Sequence, residues 1–126
     1  MSASRADAAS ALDRARGLLR FEDPEMAGVW PRASAILART ALETTVLRLW
    51  ERRDLDLQRS TMRAQLICLR TYLGDRDLAT RAGHAWSALS AACHHHYYEL
   101  APTAAELETW FSVVDELVRN VEGEGL

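Results

Sequence analysis

The helical spacing of apolar residues is the feature that most constrains the fold of this chain. In five segments of the 126 residues, apolar side chains recur every three or four positions, and no segment alternates as a half-buried strand does. The predicted helices cover about residues 4–20, 31–53, 57 or 60–73, 75–98 and 103–121. Short connections favour antiparallel packing of successive helices. The pattern therefore predicts an all-α, antiparallel up-and-down bundle of about five helices.

One domain accounts for the whole length, and 48% apolar residues suffice for one core. Residues 1–20 are predicted to form an N-terminal helix, residues 31–121 the core of the bundle, and residues 122–126 a frayed tail. The start of the chain does not resemble a signal peptide, and no apolar run approaches about 18 residues. We therefore expect a cytoplasmic protein that has no contact with a membrane.

The helical period also selects the side chains of each core face. The second helix is predicted to begin at Pro31, which suits a first helical position. Its predicted buried side consists of Ile36, Leu37, Thr40, Ala41, Thr44, Leu47 and Trp50. Trp86 and Trp110 lie on the apolar stripes of the fourth and fifth helices, and we expect both to be buried in the same core.

Local signals indicate where the later helices begin and end. Gly74 is suited to the end of the third helix. Asp75 or Asp77 can cap the fourth helix, because a carboxylate accepts hydrogen bonds from free amides at a helix start. Thr103 and Glu106 have the spacing of a capping box at the start of the fifth helix.

Charge is distributed unevenly along the chain, although the formal net charge is only −3. All 15 basic residues are arginines, a bias that codon usage in a GC-rich genome can produce. Residues 48–81 hold eight arginines and five acidic residues, whereas residues 99–126 hold one arginine and seven acidic residues. The middle of the chain is therefore suited to an anionic partner, and the last part to a cationic partner or a second copy of the chain.

A cluster of histidines beside a cysteine is the most unusual local feature. All four histidines lie between residues 84 and 96, and three of them follow Cys93 directly. Cys93 and His96 could contribute two ligands to a metal site, with Cys68 or His84 as a further ligand from elsewhere in the chain. His94 or His95 could act as a general acid or base near neutral pH. A structural role near the end of a helix, where imidazoles bind carbonyl oxygens, is the third interpretation.

Three arginines of the predicted third helix fall on one side of it. Arg59, Arg63 and Arg70 lie within about 40° of one another at 100° per residue. Such a ridge could hold phosphates, although a solvated face is an alternative explanation. No aromatic residue is interleaved with the arginines, so stacking of single-stranded RNA is not indicated. Glycine-rich phosphate loops and dinucleotide motifs are missing from the sequence, and we expect no cofactor.

Two stretches of the chain resemble HEPN-type domains. Residues 39–47 resemble part of the long second helix of such domains. The pattern W-x-x-L-S-x-x-x-H, from Trp86 to His94, resembles the segment around the family's histidine. The resemblance spans about residues 30–121 and implies an all-helical dimer of a toxin–antitoxin or phage-defence system. Ribonuclease members carry an arginine, then four to six residues, and then the histidine; residues 87–91, where that arginine would lie for His94, His95 or His96, contain none.

These observations predict a non-catalytic, HEPN-like interaction module that forms a homodimer and can bind a protein partner. Ala88 and Ala91, on the outward face of the fourth helix, are expected to allow close packing of two copies. The first alternative is a metal-independent ribonuclease that uses His94 or His95 with Arg81. The second alternative is a metal-binding helical protein that uses Cys93 and His96.

Overall fold

The computed structural model describes residues 5–19, 30–94 and 102–123, and every regular element in these ranges is a helix. The five helices are α1 (Arg5–Leu19), α2 (Trp30–Arg52), α3 (Met62–Tyr72), α4 (Arg76–Cys93) and α5 (Ala104–Gly123). The predicted all-α fold class is confirmed. None of the helices in the described ranges is both long enough and apolar enough to cross a bilayer.

The four long helices run alternately up and down the bundle. α1 packs against α2 and α5, and α4 packs against the same two helices. The hydroxyl of Ser34, early in α2, donates a 3.0 Å hydrogen bond to the carbonyl of Ala15, late in α1. Arg81, early in α4, binds Glu116, late in α5. Both contacts join opposite ends of two helices, so these helix pairs are antiparallel, as the short connections predict.

α3 lies outside this four-helix bundle. It packs mainly on α4 and reaches α2 only near the end of that helix. The buried side chain of Gln65 accepts a 2.9 Å hydrogen bond from the indole N–H of Trp50. The ring of Tyr72 packs edge-on against the same indole, with ring centroids 5.9 Å apart. These two contacts with Trp50 tie α3 to the bundle.

The core is continuous and draws on all five helices. Its largest fully buried side chains are Trp50, Phe111, Leu42, Leu49, Leu69, Leu73, Leu78, Leu89, Leu107, Leu117, Val46 and Val114. Trp86 and Trp110 pack against this core but are only half-buried. The prediction that both indoles are buried is therefore only partly correct.

The buried face of α2 differs from the predicted one. Ile36 is 45% exposed and Thr40 is also exposed, whereas Ser34 and Thr45 are buried. The two buried hydroxyls donate hydrogen bonds of 3.0 and 2.7 Å to backbone carbonyls, so their burial leaves no unsatisfied donor. Small side chains on this face leave room for α1. A pattern based on hydrophobicity ranks isoleucine above serine and threonine, and it therefore misplaced the face.

Three predictions about helix ends are confirmed. The carboxylate of Asp75 accepts a 3.0 Å hydrogen bond from the amide of Leu78. The hydroxyl of Thr103 accepts a hydrogen bond from the amide of Glu106, and the Glu106 carboxylate accepts one from the Thr103 amide, at 3.1 and 3.2 Å. Gly74 has a φ of +86°, a left-handed conformation that glycine adopts without steric cost.

Two helix boundaries differ from their predicted positions. α3 begins at Met62 instead of residue 57 or 60, because the hydroxyl of Thr61 caps it by accepting a 3.1 Å hydrogen bond from the amide of Ala64. α4 was predicted to continue to residue 98, but it ends at Cys93, and His94 forms its C-cap. Residues 95–98 lie outside the described part of the chain.

α5 extends beyond the residue at which fraying was expected. Glu122 is helical, and its side chain is 10% exposed. Its carboxylate lies 3.6 Å from Arg48 and 3.8 Å from Arg52. Arg52 also donates a 2.6 Å hydrogen bond to the carbonyl of Val121. These contacts with α2 hold the last turn of α5 in place, whereas residues 124–126 lie outside the described part.

Candidate functional site

An open groove lies between α3 and α4. Its volume is about 140 Å³, and one face of each helix lines it. The lining includes two arginines and one histidine but no carboxylate. Apolar atoms contribute most of the surface of the groove. The groove therefore combines positive charge with an apolar contact surface.

The α3 side of the groove carries an apolar pair between two arginines. Arg63, Leu66, Ile67 and Arg70 are spaced at i, i+3, i+4 and i+7, so they share one helix face. Leu66 is buried, whereas Ile67 is 66% exposed, more than any other large apolar side chain in the described residues. Arg63 and Arg70 match two members of the predicted arginine ridge. The third, Arg59, lies in the loop before α3 and does not line the groove.

Small and polar side chains form much of the α4 side. Thr80, Gly83, His84 and Ser87 repeat the same spacing and face α3. A Cβ atom built on Gly83 has no neighbouring atom within 4 Å. Packing therefore does not require glycine here, although glycine inside a helix costs about 0.5–1 kcal/mol relative to alanine. The missing side chain keeps this part of the groove open.

The indole of Trp86 provides the aromatic surface of the groove. Its N–H donates a 2.9 Å hydrogen bond to the carboxylate of Glu43 on α2. Arg39, one turn earlier on α2, lies 3.5 Å from the same carboxylate. The indole N–H is thus already bonded, which fixes the orientation of the ring. The half-buried ring offers an apolar surface to a ligand.

Intramolecular ion pairs use most of the negative charge of α5. Its acidic side chains meet arginines from α1, α2 and α4 as well as from α5 itself. The pairs are Glu108 with Arg16, Glu116 with Arg81, Glu122 with Arg48 and Arg52, and Asp115 with Arg119. Most acidic residues of α5 therefore pair with arginines of the same chain, and most of these pairs join two helices.

The arginines around the groove have no such partners. In the part of the chain that the structure describes, Arg59, Arg63, Arg70 and Arg76 form no ion pair. All four are exposed. This region therefore retains a positive surface, as the excess of arginine in residues 48–81 predicts.

Arg81, which the ribonuclease alternative assigned to catalysis, joins two helices. Its guanidinium binds both carboxylate oxygens of Glu116, at 2.7 and 3.0 Å, and also Asp77 at 2.8 Å. Hydrogen bonding to Glu116 raises the pKa of Arg81, and the guanidinium lowers the pKa of Glu116. His94 follows Arg81 by 13 residues, which is about 20 Å along a helix. The structure does not bring these two side chains together within one chain.

The described part of the histidine cluster forms the end of α4. His94 is exposed, and its backbone N–H donates to the carbonyls of Ala91 and Ala92. The neighbouring thiol of Cys93 is buried, and burial raises its pKa. No group of three or more metal-ligating side chains is found among the described residues. His95 and His96 lie outside them, so their roles remain predictions.

From the sequence, His84 was considered only as a further metal ligand, and Trp86 was assigned to the core. The sequence did contain a pattern that indicates a binding site, because the polar helix face from Thr80 to Ser87 includes a glycine, which destabilises the interior of a helix. Which face of α3 lies opposite it could not be read from periodicity. Family models, curated proteins and solved structures give no match to this chain.

Proposed function

We propose that this chain is a non-catalytic, HEPN-like interaction module that binds a partner through the groove between α3 and α4. One observation carries the proposal. Arg63 and Arg70 border an apolar groove and have no ion pair in the described residues, whereas most other arginines there are paired. Arginine and tryptophan are the side chains most enriched where binding energy concentrates at interfaces. The groove presents both types.

The arrangement of the candidate catalytic groups supports a non-catalytic role. Arg81 is engaged by two carboxylates, and about 20 Å of helix separates it from His94. General acid–base catalysis needs groups within hydrogen-bonding reach of one substrate. A ribonuclease built on this pair would therefore need a different arrangement of the chain or a second copy.

A homodimer and a place in a toxin–antitoxin or phage-defence system complete the proposal. The second part rests on the HEPN resemblance alone. For the homodimer, Ala91 is exposed and Ala88 is half-buried on the side of α4 that faces away from the core. Light scattering on the purified protein at micromolar concentration is expected to give twice the chain mass. A monomer alone under these conditions would reject this part of the proposal.

The binding role is tested with affinity-tagged protein expressed in its native cells. We expect one reproducible partner, identified by mass spectrometry, to be recovered with the wild type and lost with Arg63→Glu. Arg14→Glu is the matched control, because Arg14 is an exposed arginine on α1, which packs on α2 and α5. Equal recovery with both variants would contradict the role of the groove.

The non-catalytic part is tested with purified protein and labelled RNA. We expect no cleavage, with or without EDTA, and no change of melting temperature on adding EDTA. Cleavage that survives EDTA and disappears in His94→Ala or His95→Ala would establish the ribonuclease alternative. A melting temperature that falls on adding EDTA would favour metal binding, because a bound metal stabilises the folded state.

A further inference from the structure

The dimensions of the groove limit what can enter it. Its volume of about 140 Å³ is close to that of a cavity that holds one benzene-sized ring. Leu66 and Ile67 form its α3 side, and the ring of Trp86 contributes to its α4 side. The groove can therefore hold one large apolar side chain of a partner, and a neighbouring apolar side chain can cover the exposed Ile67.

The two arginines set the spacing of the charges that the partner must present. Arg63 and Arg70 are two helical turns apart, which is about 10 Å along the axis of α3. A partner helix repeats that distance between positions i and i+7. It places apolar side chains at i+3 and i+4 between them. Carboxylates at i and i+7 can then pair with the two guanidiniums, while one of the two apolar side chains of the partner enters the groove and the other covers Ile67.

The side chains between the arginines favour a protein over RNA. Leu66 and Ile67 are aliphatic, and Trp86 is the one large aromatic ring that lines the groove among the described residues. A single large ring cannot form the series of aromatic surfaces on which successive bases stack. An aliphatic stripe between charged residues is the pattern through which helices pack against each other. Helix-in-groove recognition uses apolar anchors at i, i+3, i+4 and i+7.

We infer that the groove between α3 and α4 binds an acidic amphipathic helix of a protein partner. Its apolar side chains contact Ile67 and Trp86, and its carboxylates pair with Arg63 and Arg70. This inference rests on the proposed function, since it names the partner class of the same groove. Gly83 contributes by leaving space for the incoming side chain.

The test is fluorescence anisotropy with a labelled synthetic peptide of about 15 residues, the length at which an isolated helix becomes marginally stable. The peptide carries glutamates at i and i+7 and leucines at i+3 and i+4. We expect micromolar binding to the full chain that weakens with added salt. Arg63→Glu and Arg70→Glu are each expected to raise the Kd at least about tenfold, whereas Arg14→Glu leaves it within about twofold.

A charge-exchanged peptide makes the test specific. With lysines in place of both glutamates, the peptide is expected to bind the double variant Arg63→Glu/Arg70→Glu better than it binds the wild type. No binding of the acidic peptide up to about 1 mM overturns the inference. Tighter binding of a short RNA, lost in Arg63→Glu, also overturns it.

Failure of the inference and failure of the proposed function give different results. If the acidic peptide does not bind but Arg63→Glu still abolishes recovery of the native partner, only the partner class is wrong. If the native partner is recovered equally with Arg63→Glu and Arg14→Glu, the groove is not the binding surface and the proposed function is wrong as well.

Discussion

Replacing Gln65 by leucine should destabilise the protein by about 2 kcal/mol. The Gln65 side chain is 5% exposed, and it accepts the only hydrogen bond of the Trp50 indole N–H in the described structure. Trp50 is fully buried, so its N–H cannot bond to water instead. A buried donor without a partner costs about 1–3 kcal/mol. The carbonyl of Ser60, which also loses a donor, is only partly buried and can be hydrated.

The assay is equilibrium urea denaturation followed by circular dichroism. Gln58→Leu is the matched control, because Gln58 is exposed in the loop before α3, and its replacement should change stability by less than about 0.5 kcal/mol. In Trp50→Phe the donor is absent, so adding Gln65→Leu should cost about 1–2 kcal/mol less than it does in the wild type. Gln65→Leu with wild-type stability would refute the reasoning that this hydrogen bond anchors α3.

Three further predictions concern single features of the helices. Gly83→Ala should stabilise the fold by about 0.5–1 kcal/mol in thermal denaturation, because no atom lies within 4 Å of the added Cβ; a lower melting temperature would contradict this. Because Arg81 lowers the pKa of Glu116, their pairing should stabilise the fold above the unfolded pKa of about 4.3 and lose this effect as the pH falls through the lower folded value. Glu116→Gln should therefore lower the urea midpoint at neutral pH and have a smaller effect in acid, whereas an equal loss at both would contradict the pairing. Thr103→Ala should cost about 1 kcal/mol in urea denaturation, because it removes the hydroxyl that caps α5; unchanged stability would show that Glu106 alone suffices.

Helix ends that depend on neighbouring residues could be predicted from the sequence. Thr103 and Glu106 cap a helix through atoms only three residues apart, so their sequence spacing was sufficient. The end of α3 at Gly74 was predictable for the same reason, since the left-handed backbone there favours glycine.

Features that depend on distant parts of the chain could not be read from the spacing of residues. The buried face of α2 depends on how closely α1 approaches, which favours Ser34 over Ile36. The contact of Arg81 with Glu116 joins residues 35 positions apart, and it changes the interpretation of a candidate catalytic arginine.

The candidate site was predicted only in part. Arg63 and Arg70 were identified as a positive ridge because seven residues bring two side chains to one helix face. His84 and Trp86 belong to another helix, and only the packing of α4 on α3 brings them to the same groove. Pairing of helix faces is a tertiary property that the spacing of residues along one sequence does not reveal.

Filling the groove tests directly whether a partner binds between α3 and α4. In Gly83→Leu the new side chain enters the groove without meeting an atom within 4 Å of its Cβ. Gly17→Leu is the matched control, because Gly17 is also a helical glycine with no atom within 4 Å, but it lies on α1. Recovery of the native partner from cells is measured for both folded variants. We predict that Gly83→Leu loses the partner and Gly17→Leu retains it; retention by Gly83→Leu would show that the partner does not bind in this groove.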